Sequence, residues 1–211
     1  MNAFEKEIQV HIGSKALEKI QAVQVGIAGA GGLGSNCAVN LTRCGFRRFT
    51  IVDFDNVEFS NLNRQFFFGN QVGKPKVDML KKNLLAVNPD LELHLFTQKI
   101  DQDNINDFFD ACDIIVEAFD STEAKKMIIE AYAGSEKLLV SASGIAGWGK
   151  SDDIKIHRAG KNFFLIGDLI SETTAELPPI SPRVNIAAAK QADVILSHVL
   201  GTNTKKIETK K

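Results

Sequence analysis

Residues 23–53 read VQVGIAGAGGLGSNCAVNLTRCGFRRFTIVD, and this stretch decides the fold. A short apolar run at 23–28 leads directly into a glycine-rich turn, Gly29 to Gly34, with the pattern G-x-G-x-x-G. An amphipathic segment at 34–44 then connects the turn to a second apolar run at 49–53. A strand, a glycine-rich turn, a helix and a strand in this order predict the first unit of a Rossmann-type sheet.

The same alternation continues along the chain and predicts an α/β fold, a doubly wound and mostly parallel sheet. Short β-rich runs alternate with longer amphipathic stretches as far as residue 142. The predicted strands are 23–28, 49–53, 91–96, 114–118 and 138–142, and the predicted helices are 34–44, 74–86, 104–109 and 122–133.

The C-terminal quarter departs from this rhythm. Residues 147–170 predict an antiparallel β-ribbon with turns at 151–153 and 159–161, and a Pro-rich loop then precedes an apolar helix at 184–200 that ends at Gly201. We therefore divide the chain into an N-terminal helix (1–22), a nucleotide-binding core (23–146), a ribbon and helix of the same domain (147–202) and a charged, frayed tail (203–211).

The composition is that of a single globular domain. The 211 residues are 44% hydrophobic and 24% charged with a net charge of -1, so there is no basic excess to favour nucleic acid as a main partner. No stretch approaches a membrane span. Cys37, Cys44 and Cys112 form no C-x-x-C, which argues against a disulfide framework and against structural zinc. We interpret all three as core residues of a protein of the reducing cytoplasm.

The glycine turn and the end of the second predicted strand together indicate a nucleotide site. Glycines let backbone N–H groups approach phosphate oxygens at a helix N-terminus, and a carboxylate about 20 residues further on can accept both ribose hydroxyls. The carboxylate in that position is Asp53. The predicted cofactor-binding glycines are Gly29, Gly31, Gly32 and Gly34. This pattern does not choose between NAD and ATP.

The long connection after Asp53 carries a more specific signal. Residues 53–65 follow D-x-D-x-V-x-x-S-N-L-x-R-Q, residues 73–77 follow G-x-P-K-V, and Asn88-Pro89 closes the next helix. Over residues 24–146 these motifs resemble the ThiF/MoeB branch of the ubiquitin-activating superfamily. The chain is especially similar to the short ThiF-like sulfur carrier adenylyltransferases that lack the zinc-binding part.

The resemblance implies an activity and a set of partners. It implies that the chain binds ATP and Mg²⁺ and adenylates the C-terminal carboxylate of a ubiquitin-like sulfur carrier that ends in Gly-Gly. A ThiS-type carrier of thiamine biosynthesis, release of pyrophosphate and a homodimer are implied in the same way. Matching motif positions carry over as site residues Gly32, Asp53, Ser60, Asn61, Arg64, Lys76 and Asp120.

The residue types suit that chemistry. An in-line displacement at a phosphate needs positioning and charge stabilisation more than a base, because the attacking carboxylate is already ionised at neutral pH. Arg64 can fork onto the triphosphate, Lys76 can place a point charge near the reacting phosphate, and Asn61 can donate through its amide. Asp120, after the fourth strand, can hold the metal ion.

Each of these residues also has an ordinary structural interpretation. Asp120 could cap the next helix, Lys76 could be a solvated helix charge, and Arg64 could be a surface loop residue. Phe66-Phe67-Phe68 would be core with an exposed edge, or a surface for the carrier or a second subunit, and Trp148 could touch the carrier's tail.

Three departures from the family pattern limit what is carried over. The N-terminal segment has no arginine before Arg43, which excludes a trans arginine from that segment. Paired C-x-x-C zinc motifs and a cysteine in the C-terminal crossover region are also absent. The competing functions are an NAD-dependent oxidoreductase, an ATP-dependent tRNA-modifying relative of the superfamily, and a non-catalytic carrier-binding scaffold.

Overall fold

The structure is a computed structural model that describes residues 1–201, so the predicted tail at 203–211 lies outside the described residues. Its strands are β1 (Gln24–Ala28), β2 (Arg48–Val52), β3 (Glu92–Phe96), β4 (Ile114–Glu117), β5 (Leu138–Ala142), β6 (Lys155–Arg158) and β7 (Phe163–Gly167). Its helices are α1 (Ala3–Ile12), α2 (Ser14–Ala22), α3 (Gly32–Cys44), α4 (Lys76–Leu85), α5 (Ile105–Phe109), α6 (Thr122–Tyr132) and α7 (Ser181–Leu200).

The strands form one sheet in the order β3-β2-β1-β4-β5-β7-β6. Every neighbouring pair is parallel except β6 and β7. The doubly wound, mostly parallel sheet is therefore confirmed. The chain leaves β1 toward β2 on one side and returns to β4 on the other, which opens a crevice at the carboxyl ends of these strands.

The predicted ribbon is confirmed, and it extends the main sheet. β6 and β7 pair antiparallel, and β7 also pairs parallel with β5. The C-terminal helix begins three residues earlier than predicted, because Pro182 fits the first turn of a helix, where a backbone N–H is not needed. Helix α7 packs mainly against α3.

The single N-terminal helix predicted within residues 1–22 is instead two helices. Gly13, with a φ of +86°, separates α1 from α2. Both helices pack near Gly45, where Ile8 and Leu17 approach the C-terminal end of α3. They therefore lie at the opposite end of α3 from the crevice.

A buried carboxylate fixes α1 in this position. Glu5 is fully buried, accepts a hydrogen bond from the Asn88 side chain at 3.3 Å, and lies 3.9 Å from Arg47 Nη1. Asn2 caps α1 and its amide also donates to Asn88 at 2.6 Å. Asn88, which follows α4, thus holds the N-terminal helices at the end of the sheet opposite the crevice, called here the bottom of the sheet.

All three cysteines were predicted to be core residues, and this is confirmed for two of them. Cys37 and Cys112 are buried, whereas Cys44 is only partly buried. Burial raises the pKa of each thiol, which keeps them protonated at neutral pH. Within residues 1–201 no helix is both long and apolar enough to cross a membrane.

Candidate functional site

A cleft of about 650 Å³ lies at the carboxyl ends of β1, β2, β4 and β5. It is lined by the glycine turn after β1, by Asp53 after β2, by 118–120 after β4 and by 143–145 after β5. This is the position where open α/β sheets bind ligands, and the volume suits a nucleotide.

The glycines of the turn have two different roles. Gly29, Gly31 and Gly32 line the cleft, and Gly29 has a φ of +101° that favours glycine. Gly34 does not line it, and a Cβ there would lie 1.8 Å from the Gly29 carbonyl oxygen. Gly34 therefore lets α3 start close against β1. Because α3 has no side-chain cap, its first N–H groups remain available to an anion.

Asp53 ties the glycine turn to the end of β2. Its Oδ2 accepts from the Ala30 N–H at 2.6 Å and its Oδ1 from the Asp55 N–H at 2.8 Å. A carboxylate offers about four acceptor positions, so about two remain for ribose hydroxyls. Burial raises the pKa of Asp53, and the charge of Lys76 and the two N–H groups oppose that shift.

Lys76 is buried at the first residue of α4. Only 6% of it is exposed, and its Nζ donates to Asp55 Oδ2 at 2.7 Å. Both residues line the cleft. The interpretation of Lys76 as a solvated helix charge is therefore wrong. Its ammonium keeps two further donors for a ligand.

Arg64 lies on the cleft wall beside Gly32. Its Nη1 donates to the Ser60 carbonyl at 3.1 Å and to the Asn63 side chain at 2.7 Å. The neighbouring Gln65 is buried, also lines the cleft, and its Oε1 has no hydrogen-bond partner within the described part of the chain. Gln65 stood in the sequence motif, but nothing in the sequence distinguished it from a structural residue.

Ser60 and Asn61 do not line the cleft in this structure. The exposed Ser60 donates to Glu58 Oε2 at 3.0 Å. The buried Asn61 accepts from the Glu58 N–H at 3.0 Å and closes the short 3-10 turn Phe59–Asn61. Their assignment as nucleotide ligands stays a prediction.

Asp120 lies exposed on the cleft wall and does not cap α6. The cap is Ser121, whose Oγ accepts from the Ala124 N–H at 3.1 Å. The helix-cap interpretation of Asp120 is therefore wrong, because the helix begins at Thr122, where it was predicted, and the residue before it is Ser121.

The side chains of the cleft suit a metal ion that enters bound to the nucleotide. Among residues 1–201 no three His, Cys, Asp or Glu side chains lie close enough together to hold a metal ion. Mg²⁺ in nucleotide sites is commonly held by one or two carboxylates together with phosphates and water. Asp120 could supply that carboxylate and the nucleotide the phosphates.

A buried ion pair under the cleft was not predicted. Glu117, the last residue of β4, is fully buried and accepts from Lys125 Nζ at 2.9 and 3.1 Å. It also accepts from the Phe119 N–H at 2.8 Å and from the Ser141 hydroxyl. Lys125, on α6, lines the cleft. The available signal was a carboxylate at the end of an apolar strand, which requires a partner when buried.

A second buried pair holds the loop that borders the cleft. Arg183 is 4% exposed and pairs with Asp168, and its guanidinium also donates to the Gly149 carbonyl at 3.1 Å. Burial opposes ionisation of Asp168, but N–H groups of Ser171 and Ile170, the Ser171 hydroxyl and Arg183 outweigh it and lower the pKa to about 2. Arg183, on α7, thus joins the loop after β5, through Gly149, to the loop after β7, through Asp168.

Exposed apolar side chains surround the loop that Arg183 holds. Trp148 is 67% exposed and Ile170 85%, and Leu169 has the left-handed φ of +62°. We call Trp148, Leu169, Ile170 and Leu177 the apolar rim.

Of the three phenylalanines beside Arg64, Phe67 is buried and Phe68 is 52% exposed, which confirms the prediction of core residues with an exposed edge.

Comparison with known proteins gives a family match over almost the whole chain. A model of the ThiF family matches residues 4–210. Ubiquitin-like modifier-activating enzyme 5 of Drosophila erecta is 35% identical over 158 residues, covering 69% of this chain and 39% of the relative. The Arabidopsis thaliana protein of that name is 46% identical over 83 residues, which are 39% of this chain and 19% of the relative. The chain thus spans about two fifths or less of these relatives.

Solved structures share the fold. The Escherichia coli tRNA N6-threonylcarbamoyladenosine dehydratase TcdA, solved with AMP, has a TM-score of 0.82 at 18% identity, covering 92% of each chain. Escherichia coli MccB, solved with ATP, has a TM-score of 0.71 at 21% identity, covering 94% of this chain and 64% of MccB.

Proposed function

Because the chain belongs to the ThiF family, we propose that it is an ATP-dependent adenylyltransferase that activates the C-terminal carboxylate of a ubiquitin-like carrier. The observation that carries the proposal is the pairing of an uncapped helix N-terminus with two cations. Arg64 and Lys76 border the same cleft as the glycine turn. The two side chains and the N–H groups at the start of α3, all suited to bind a triphosphate, therefore lie together where the strand order of the sheet reverses.

The proposed reaction needs only what these groups supply. A carboxylate oxygen of the carrier attacks the α-phosphorus of ATP, a new P–O bond forms, and the bond to the leaving pyrophosphate breaks. Arg64, Lys76 and the N–H groups of α3 stabilise the charge that builds on the phosphate oxygens. Asp53 orients the ribose, and Asp120 would hold Mg²⁺, which would supply positive charge beside the phosphates.

The carrier we propose is of the ThiS type, ending in Gly-Gly, on the basis of the similarity to short ThiF-like proteins. A protein substrate is supported by the apolar rim, whose large exposed side chains lie on the segments that also bring Ser171 and Pro179 to the cleft wall. A homodimer and a cytoplasmic location are proposed on the same similarity.

Two other functions, NAD binding and action on tRNA, are weighed against adenylation. The glycine turn and Asp53 would also suit NAD, but cations on the cleft wall favour a more highly charged triphosphate. A tRNA substrate is suggested by the fold shared with TcdA, whereas the net charge of -1 provides no general affinity for a nucleic-acid backbone.

The decisive experiment is mass spectrometry of carriers after incubation with the protein, ATP and Mg²⁺. We expect AMP to be added to a ThiS-type carrier, and not to the same carrier without its last glycine. Titration calorimetry with ATP and with NAD, and binding of total tRNA over a salt series, complete the comparison. Tight NAD binding without ATP binding, or salt-resistant tRNA binding without carrier adenylation, would overturn the proposal.

A further inference from the structure

Among the residues that the structure describes, the ion pair of Glu117 and Lys125 leaves a hydrogen-bond donor of the ammonium unused. Both oxygens of Glu117 accept from Lys125 Nζ, and they also accept from the Phe119 N–H and the Ser141 hydroxyl. The carboxylate is therefore fully hydrogen-bonded in the interior. An ammonium has three donors, and Glu117 takes up at most two of them, so within residues 1–201 at least one has no protein partner.

That donor belongs to a side chain that lines the cleft. The Lys125 side chain is 23% exposed, and it lies on α6 beside Asp120 and Thr122. Glu117 holds the ammonium through hydrogen bonds of 2.9 and 3.1 Å, which restricts a side chain that would otherwise lose considerable rotamer freedom on binding a ligand. A preorganised cation is what a site for anionic oxygens requires.

The order of the strands indicates which part of a nucleotide would reach Lys125. Asp53 follows β2, the glycine turn follows β1, and Glu117 ends β4, so the three lie side by side across the top of the sheet. Strands are spaced by about 4.8 Å, which places the β2 and β4 ends roughly 10 Å apart. A nucleotide with its ribose at Asp53 and its α-phosphate at the glycine turn would extend its terminal phosphates toward β4 and α6.

We infer that Lys125 donates its free N–H to a terminal phosphate oxygen of the bound nucleotide, and that Glu117 is the positioning residue for this contact. The inference rests on the proposed function. It adds a third cation to Arg64 and Lys76, on the opposite wall of the cleft. Lys125 thus binds the part of ATP that leaves as pyrophosphate.

The test compares the affinities for ATP and for AMP, measured by calorimetry without any carrier. We expect Lys125→Gln to weaken ATP binding roughly tenfold to a hundredfold, the effect of losing one charged hydrogen bond, and to leave AMP binding within about twofold of wild type. Lys126→Gln is the matched control, because it makes the same change of charge on α6 at a side chain that is 71% exposed.

A double variant separates ligand binding from support of the buried carboxylate. Lys125→Gln alone leaves Glu117 buried without its cation and should lower the melting temperature. Glu117→Gln together with Lys125→Gln removes both charges and should recover most of that loss, while ATP binding stays weak. Recovery of wild-type ATP affinity in the double variant would show that Lys125 serves only as the counterion of Glu117.

Other outcomes show whether the Lys125 contact fails alone or the proposed function fails with it. Equal losses of ATP and AMP affinity, or a change confined to the KM for the carrier, would overturn the contact with the terminal phosphates. Wild-type ATP affinity in Lys125→Gln would overturn this inference alone. Failure of the wild-type protein to bind ATP would instead remove the proposed function, and this inference with it.

Discussion

At the scale of single residues, Asp53 serves two purposes with one carboxylate. It holds the glycine turn through the Ala30 N–H and, in the proposed site, accepts the ribose hydroxyls. The sequence indicated only the second purpose, because the hydrogen bond to a residue 23 positions earlier depends on β1 and β2 being neighbours.

We predict that Asp53→Ala will abolish measurable ATP binding and also lower the free energy of unfolding. Each lost charged hydrogen bond contributes about 1.5–3 kcal/mol. Asp53→Asn keeps one acceptor oxygen and should retain more of the stability than of the ATP affinity. Calorimetry and urea unfolding of both variants provide the comparison, and wild-type ATP affinity in Asp53→Ala would remove Asp53 from the site.

Asp120 and Ser121 are neighbours with separable roles. Because Ser121 caps α6, Asp120→Ala should change the free energy of unfolding by less than about 0.5 kcal/mol, typical of a surface substitution. The same substitution should reduce adenylation by orders of magnitude if Asp120 holds Mg²⁺.

Ser121→Ala is the matched control for Asp120→Ala. It should cost about 1 kcal/mol of stability as a lost cap and leave turnover largely unchanged. Carrier adenylation and thermal unfolding measure the two effects. Normal turnover and a normal dependence on Mg²⁺ in Asp120→Ala would leave the metal held by phosphates and water alone.

Local signals predicted part of the site, and the rest depends on tertiary contacts. The structure places Arg64, Lys76 and Asp120 on one cleft, as the motifs indicated. Ser60 and Asn61 lie in the same motif but face a local turn. The pairs Glu117–Lys125 and Asp168–Arg183 were missed, because each joins residues on different elements that only the folded sheet brings together.

At the scale of secondary-structure elements, periodicity located the five parallel strands to within a residue or two. These strands are apolar runs flanked by turn residues, so their own sequence is sufficient. The placement of β7 beside β5 was not predictable in this way, since a ribbon's sequence does not specify which sheet edge it joins. The break at Gly13 was missed because a single glycine is also tolerated within a helix.

The hydrogen bonds that the Asp168 carboxylate accepts, from Ser171 and Ile170 first and also from Arg183, should make the folding of the loop region dependent on pH. The pKa of Asp168 is about 2 in the folded protein, below its ordinary value of 3.8, so the folded state binds fewer protons in that interval. The stabilisation is therefore present above the unfolded pKa and lost as the pH falls toward the folded pKa.

We predict that the wild type will lose this stabilisation, about 2 kcal/mol from the size of the shift, as the pH falls from about 4 toward 2. Asp168→Asn should be less stable at neutral pH, because Arg183 is left buried without its partner. The difference in free energy of unfolding between the two proteins should therefore narrow in acid. A difference that stays constant over this interval would show that Asp168 gains nothing from being ionised.

At the scale of the whole molecule, the two ends of the sheet have different tasks. The N-terminal helices and the network around Glu5 cover the bottom of the sheet, and the cleft with its two buried ion pairs lies at the top. The apolar rim adjoins the cleft, because Ile170 precedes Ser171 and Trp148 follows the Gly147 that pairs with Pro179, and both Ser171 and Pro179 line the cleft. A protein whose C-terminus enters the cleft would therefore meet the rim with its folded surface.

We expect the apolar rim to contact the folded part of the carrier. A few side chains that become buried supply most of the binding energy of protein interfaces, so Trp148→Ala and Ile170→Ser should each raise the KM for the carrier, by roughly tenfold for a cost of about 1.4 kcal/mol. Their affinity for ATP should remain that of the wild type, because neither side chain lines the cleft.

Val10→Ser is the control for a general effect of removing exposed apolar surface. Val10 is 76% exposed on α1, at the opposite end of the molecule from the cleft, so this variant should leave the KM for the carrier unchanged. Initial rates of carrier adenylation at saturating ATP provide the measurement. If the Val10 variant and the rim variants change the KM equally, the rim is not the carrier's docking site, and the carrier reaches the cleft from another side.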